Sequence, residues 1–308
     1  MGLVTEMGYN LFFKVLVISF LFGYDLRKGF IFLHMLMWTG ILSELLKSVF
    51  GYPRPVDVDS TLRRIKEHTD FVTPFKDSGA KSFFSLLPPE PVEYFRKLPH
   101  YSFGIPSGHT SSTTTVWAAI SMFSKKLWVY YLSAMMIVLM AVSRMYLGRH
   151  FLADVTAGFI LGLLVSLFFY FRFVRNADFN QPVKIKPGHG FRISDIVKYA
   201  YFFCFPFIFL LIPYAGLEIA GNVIAFNAAY FIISIGGVPQ FKGNLSKRLA
   251  RLILAAGIFG ISFFAYDLLF TNLLHLISPF FLFLKSFITV FMMILVSVKL
   301  IPILKIDK

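Results

Sequence analysis

The chain has 308 residues, of which 57% are hydrophobic and 15% charged, with a mean hydropathy of +0.70. A soluble domain typically carries about 45–50% apolar and about 25% charged residues, so a soluble globular enzyme is excluded, and a single cysteine, Cys204, excludes an internal disulfide. The 30 Lys and Arg against 16 Asp and Glu give a net charge of +14; in so apolar a chain this reads as loop charge that sets membrane topology, not as a nucleic-acid footprint.

Crossing about 30 Å of hydrocarbon takes about 20 mostly apolar residues. Apolar segments run at 9–24, 29–46, 108–123, 127–143, 151–173, 197–216, 219–236, 250–270 and 274–303. Helix is the conformation that satisfies its own backbone in lipid. The expected fold is therefore all-α, a polytopic membrane bundle of about nine transmembrane helices. The start, Met1 to Asn10, lacks a basic region ahead of the first apolar segment, which is expected to act as an uncleaved anchor. The last segment contains Pro279 and Lys285, and is expected either as two pieces or as one kinked helix.

The loops alternate in character. Arg27-Lys28, Lys125-Lys126, the 172–198 loop, the 237–251 loop with Lys242, Lys247, Arg248 and Arg251, and the tail with Lys305 all fall on one side. The positive-inside rule places that side in the cytoplasm, so the 47–107 segment and the 144–150 turn face the periplasm, cell exterior or organelle lumen. The 56–105 stretch is polar, near-balanced in charge and contains Pro88, Pro89 and Pro91. It reads as an extramembrane insert, either a solvated loop or a lid over flanking chemistry, with its position favouring the lid.

Three polar clusters fall on that outward face. Lys47 and Arg54-Pro55 stand where one helix ends. Pro106-Ser107-Gly108-His109 opens the next. Ser143-Arg144 and Arg149-His150, followed by Asp154, bridge two helices. Charges near hydrocarbon cost roughly 2.5–3.5 kcal/mol each on insertion scales, so Arg144, His150 and Asp154 are expected to face a polar cavity with partners. His150 and Asp154 are four apart; on one helical face the carboxylate can accept a hydrogen bond from one ring nitrogen and leave the other as a nucleophile. Phosphoryl transfer needs positioning and charge neutralisation around three oxygens. Lys47, Arg54 and Arg144 supply cations, and the amides at Ser107 and Gly108 open a helix toward an anion. His109 is placed to protonate a leaving oxygen. No carboxylate or cysteine cluster with metal spacing appears, so no metal or other cofactor is expected.

Lys-x6-Arg-Pro, Pro-Ser-Gly-His and Ser-Arg-x5-His-x3-Asp, in this order, resemble the signature of the type 2 phosphatidic acid phosphatase family, whose superfamily also holds vanadium haloperoxidases and glucose-6-phosphatase. The resemblance covers about residues 8–174. It implies a phosphohistidine at His150, support from Asp154, protonation by His109, and phosphate held by Lys47, Arg54, Ser107, Gly108 and Arg144 without a metal. Many members place three helices before the first motif, and two are counted here. Arg149 is either a headgroup contact or a surface charge, and Glu44 either tunes Lys47 or forms a helix-end pair. The Thr110–Thr115 run is expected to allow close helix packing behind the site.

The expected organisation is a phosphatase core at 1–174 carrying the 56–105 insert, a cytoplasmic linker at 175–196, and additional C-terminal helices at 197–308. The expected activity is hydrolysis of a lipid phosphomonoester or diphosphate, of the phosphatidate, phosphatidylglycerol phosphate, polyprenyl diphosphate, lipid A or sphingoid phosphate class. The alternatives are lipid-to-lipid phosphotransfer, and lipid transport by the C-terminal helices with an attached phosphatase half. The partners expected are a membrane lipid phosphate and the bilayer, with no nucleic acid.

Overall fold

The computed structural model describes residues 10–59, 61–62, 73–79, 86–98, 101–175, 204, 206–208, 216–235, 237–274 and 278–307. Among these the fold is all helical, without a strand. The order is α1 (Asn10–Ile18, continued by a π-helical turn Ser19–Tyr24), α2 (Leu26–Phe50), α3 (Pro55–Val58), α4 (Pro89–Lys97), α5 (Gly108–Ser124), α6 (Leu127–Tyr146), α7 (Leu152–Phe169, with a π-helical turn Tyr170–Val174), α8 (Gly216–Ile235), α9 (Leu245–Tyr266, with a π-helical turn Asp267–Leu273) and α10 (Pro279–Ile303).

Six helical spans are long and apolar enough to cross a membrane: Leu26–Val58, Leu127–Tyr146, Leu152–Val174, Leu217–Ile235, Leu245–Leu273 and Pro279–Ile303. A shorter apolar helix, Phe12–Tyr24, and the hydroxyl-rich helix Gly108–Ser124 fill two more of the expected segments. The expected bundle of about nine helices agrees with this architecture; the segment at 197–216 falls almost wholly outside the described residues. The chain is a multi-pass membrane protein.

Local chemistry sets the helix ends. Ser107 caps α5, its Oγ accepting the Thr110 N–H at 3.4 Å. Lys125, with φ of 55°, ends α5 in the left-handed conformation and turns the chain into α6. Pro279 is the first residue of α10, where its missing N–H costs nothing, so 279–303 is a single helix. Asn244 caps α9 by accepting the Lys247 N–H at 3.1 Å, which starts that helix five residues before the apolar run expected at 250.

The chain divides into two compact units. The first comprises residues 1–14 and 32–175, the second 15–31 and 176–308. In the first, α5 packs on α6 and α7. A methyl group at Gly158 of α7 would lie 2.6 Å from the Ser107 carbonyl oxygen, and one at Gly162 would lie 2.5 Å from that of Ser111. Only glycine permits this approach. The hydroxylated run on α5 meets it: Thr114 Oγ1 donates to the Thr110 carbonyl at 2.8 Å, and Thr115 exchanges a 2.8 Å hydroxyl bond with Thr39 of α2. The expectation of close packing behind the site holds.

In the second unit, α8 and α9 both pack on α10. Two cations are internal to it. Arg251 is fully buried; its Nε donates to Phe22 O at 2.7 Å, and Nη1 donates to Lys242 O at 2.8 Å and Ile306 O at 2.6 Å. The sequence groups Arg251 with the exposed loop charges, but it ties together three separate stretches of backbone. Lys285 pairs with Asp267 at 2.6 Å and lies 3.7 Å from the centre of the Phe263 ring.

Replacing Gly158 with Ala forces α5 and α7 apart. It is expected to cost about 1–3 kcal/mol, read as a lower midpoint of thermal unfolding in detergent. Arg251→Leu strands three carbonyls, each costing about 1–3 kcal/mol when buried and unpaired. It is expected to destabilise more than Gly158→Ala, and Arg251→Lys is expected to recover little, because an ammonium lacks the guanidinium fork.

Candidate active site

Helix α7 begins at Leu152, two residues after His150, so the two site residues do not share a regular helical face. The Asp154 carboxylate instead reaches back over the helix start. Its Oδ2 accepts the Phe151 N–H at 2.9 Å and stands 3.3 Å from His150 Nδ1. With the carboxylate as acceptor, Nδ1 carries the proton and Nε2 is left with its lone pair. His150 is 4% exposed and Asp154 3%.

The turn that delivers His150 depends on Gly148. With φ of +64°, it occupies the left-handed region; its N–H donates to Met145 O at 2.9 Å, and its carbonyl accepts the Val56 N–H at 3.3 Å. The second of these bonds fastens the α6–α7 turn to α3, one residue past the first motif. A main-chain bond of 2.9 Å from Ser107 N to Asp154 O fastens the second motif to the third.

The remaining expected residues converge here. Lys47 is buried at the end of α2, its Nζ accompanied by Glu44 Oε1 at 2.7 Å. A methyl at Gly108 would lie 3.6 Å from Lys47 Nζ, which places that ammonium against the start of α5. Arg144 is 5% exposed, in the last turn of α6. Burial, then the positive charges of Arg54, Arg144 and Lys47, hold the His150 imidazole well below the ordinary histidine value, with His109 adding to the effect. The imidazole is therefore neutral at pH 7. All eight expected residues, Lys47, Arg54, Ser107, Gly108, His109, Arg144, His150 and Asp154, lie in one neighbourhood of the first unit. Arg149 stands half-buried beside them.

Several participants escape a reading of the sequence. Arg54 is gripped by the 101–104 segment: its Nε donates to Ser102 O at 2.9 Å and its Nη2 to Ser102 Oγ at 2.7 Å. Its backbone N–H donates to the Tyr101 hydroxyl at 3.1 Å, and that hydroxyl donates to the Asp57 carboxylate. Burial and the adjacent Asp57 raise the Tyr101 phenol above its ordinary value, so it stays a donor. Gly104 passes so close to the site that a methyl there would lie 2.8 Å from Asp154 Oδ2. The insert is thus not solvated throughout. Val58 and Phe95 are fully buried, and Arg96 of α4 donates to Phe50 O at 2.6 Å, at the end of α2. Tyr101 lies a few residues before the second motif, but nothing in the spacing pairs it with Asp57.

Among the described residues, no group of three or more His, Cys, Asp or Glu side chains is placed to hold a metal ion. The arrangement offers an anion three cations, helix-start amides, a neutral imidazole aimed by a carboxylate, and a second histidine.

Comparison with known proteins agrees with this geometry. Residues 28–178 match the PAP2 superfamily. Phosphatidylglycerophosphatase B of Bacillus subtilis (strain 168) is 40% identical over 73 residues, which cover 21% of this chain and 36% of that protein. The chain therefore aligns with about a third of that relative's length. No solved structure matches the chain. The matched span, residues 28–178, is the part of the chain that resembles the PAP2 superfamily, and it carries all three motifs at one site.

Proposed function

We propose that the chain is a membrane lipid phosphatase that works through a phosphohistidine on His150. The observation that carries this reading is the buried, neutral imidazole, oriented by Asp154 and set among Lys47, Arg54, Arg144 and His109. The three cations and the amides at Ser107 and Gly108 hold the non-bridging oxygens and neutralise charge as it spreads over them. His150 Nε2 attacks phosphorus; the N–P bond forms as the P–O bond to the lipid breaks, and His109 gives its proton to the departing oxygen. Water then attacks the phosphohistidine and passes a proton to His109. The N–P bond breaks, inorganic phosphate leaves, and His150 returns neutral. Asp154 accepts the Nδ1 hydrogen bond throughout and steadies the ring as positive charge develops on it.

In this scheme fixed side-chain cations neutralise the phosphoryl oxygens, so turnover needs no added metal. The substrate is a phosphate monoester or diphosphate of an amphiphile; the name of the Bacillus relative supports phosphatidylglycerol phosphate within that class. Loop charges support a site on the non-cytoplasmic face. The core of this activity is residues 1–174, which carry the 56–105 insert.

Purified protein in detergent with EDTA is expected to release phosphate from phosphatidylglycerol phosphate or phosphatidate, and His150→Ala to reduce release to background. Full activity in that variant, or a strict requirement for added metal, would sink the mechanism. The pH profile provides a second check. Because His150 is held below its ordinary value, its neutral form persists as pH falls through 6.5, so the acid limb of kcat/KM lies below that pH. Arg54→Gln removes a charge that depresses it and is expected to move the limb to higher pH, along with a weaker kcat/KM. An acid limb that does not move in Arg54→Gln counts against His150 as the titrating nucleophile.

A further inference from the structure

Ser43 lies one turn before Lys47 on α2, so the two side chains share a helical face. Both meet the start of α5. A methyl group on Gly108 would lie 3.6 Å from Lys47 Nζ and 3.6 Å from Ser43 Oγ; among the described residues no other atom from outside the start of α5 comes within 4 Å of it. Those distances are ordinary contacts, and Gly108 lies outside the left-handed region. Neither a clash nor the backbone therefore requires glycine here, unlike Gly158 and Gly162. What a side chain at 108 would fill is the space between the ammonium, the hydroxyl and the first amides of α5.

Ser43 is 2% exposed, and its Oγ is buried without a hydrogen-bond partner in the protein. A helical serine or threonine commonly satisfies its hydroxyl on the carbonyl one turn back. Its neighbours on α2 do so: Thr39 Oγ1 donates to Met35 O at 2.8 Å, and Ser48 Oγ to Glu44 O at 3.1 Å. Ser43 forgoes that bond and keeps its hydroxyl at Gly108. A buried polar group left unpaired costs free energy, and a native fold that retains one calls for a reason. Lys47 Nζ is engaged by Glu44 on one side only, at 2.7 Å. An ammonium has three N–H donors, so Lys47 has others to offer an anion beside Ser43.

We infer that Ser43 is a further phosphate-binding residue, whose Oγ–H donates to a non-bridging oxygen seated between Lys47 Nζ and the start of α5. This rests on the phosphatase reading and adds a neutral donor to the three cations. None of the three motifs contains Ser43. Its contribution is directional. Lys47 is a point charge on a flexible stem and accepts an oxygen at many positions; a short, buried hydroxyl accepts it at one.

The test uses the full chain in detergent and inorganic phosphate as the probe, with affinity read from the phosphate-dependent rise in the unfolding midpoint. Without phosphate, Ser43→Ala is expected to unfold at the wild-type temperature or above it, because an unpaired buried hydroxyl has gone. Its phosphate affinity is expected to fall roughly ten-fold or more, the usual loss of a hydrogen bond to a charged group. Ser297→Ala, in α10 of the second unit, removes a hydroxyl that is also buried and unpaired, and is expected to keep phosphate affinity within two-fold of wild type. With phosphatidate, kcat/KM is expected to fall in Ser43→Ala by a factor similar to the loss of phosphate affinity, and to hold in Ser297→Ala. Equal phosphate affinity in the two variants overturns the inference, and so does a wild-type midpoint indifferent to phosphate. Weaker phosphate binding in Ser43→Ala, with no phosphate released from any lipid by the wild type, removes the phosphatase reading and leaves the anion site standing.

Discussion

The hydrogen bond from Ser107 N to the Asp154 carbonyl fixes the spacing on which the site depends. It can form because α7 presents Gly158 to the Ser107 carbonyl, so that two helix starts meet backbone to backbone. A buried ion costs several kcal/mol after relaxation unless its partners are well placed. Rigid main-chain contacts, and not flexible side chains, set the distances among Lys47, Arg144, His150 and Asp154. The site is thereby organised before an anion arrives, which is the condition under which fixed charges stabilise a transition state most effectively.

The eight motif residues stand out in the sequence because each sits near a helix end, where apolar periodicity breaks and polar groups cluster. They lie in one neighbourhood of the first unit, and Asp154 meets His150 by reaching back over the first turn of α7, not across a shared face. The Tyr101–Asp57 bond was not legible. The two residues are 44 positions apart in a stretch with balanced charge, and no periodicity links them. The same holds for Gly104, whose role is to be absent as a side chain next to Asp154.

Charge in the second unit shows a different limit. A sequence reading assigns basic residues next to apolar segments to the cytoplasmic loops, because water is the usual way to satisfy them. Arg251 is satisfied by three carbonyls, and Lys285 by Asp267 and an aromatic face. Pattern alone cannot separate a cation that marks topology from one that closes a fold, since both lie within a turn or two of an interface. The remaining short-loop charges still carry the topological vote.

The insert between the first two motifs is stitched at its neck. Arg96 to Phe50, Gly104 N to Tyr52 O at 2.8 Å, Ser102 to Arg54 and Tyr101 to Asp57 all join its return limb to the chain just after α2. These bonds close the insert at its neck, and they hold Arg54 and Asp57 through residues 101–104 directly. The neck is therefore the part of the insert that selection is least free to rewrite: a change at Tyr101 or Gly104 reaches Arg54 and Asp154 through a single contact.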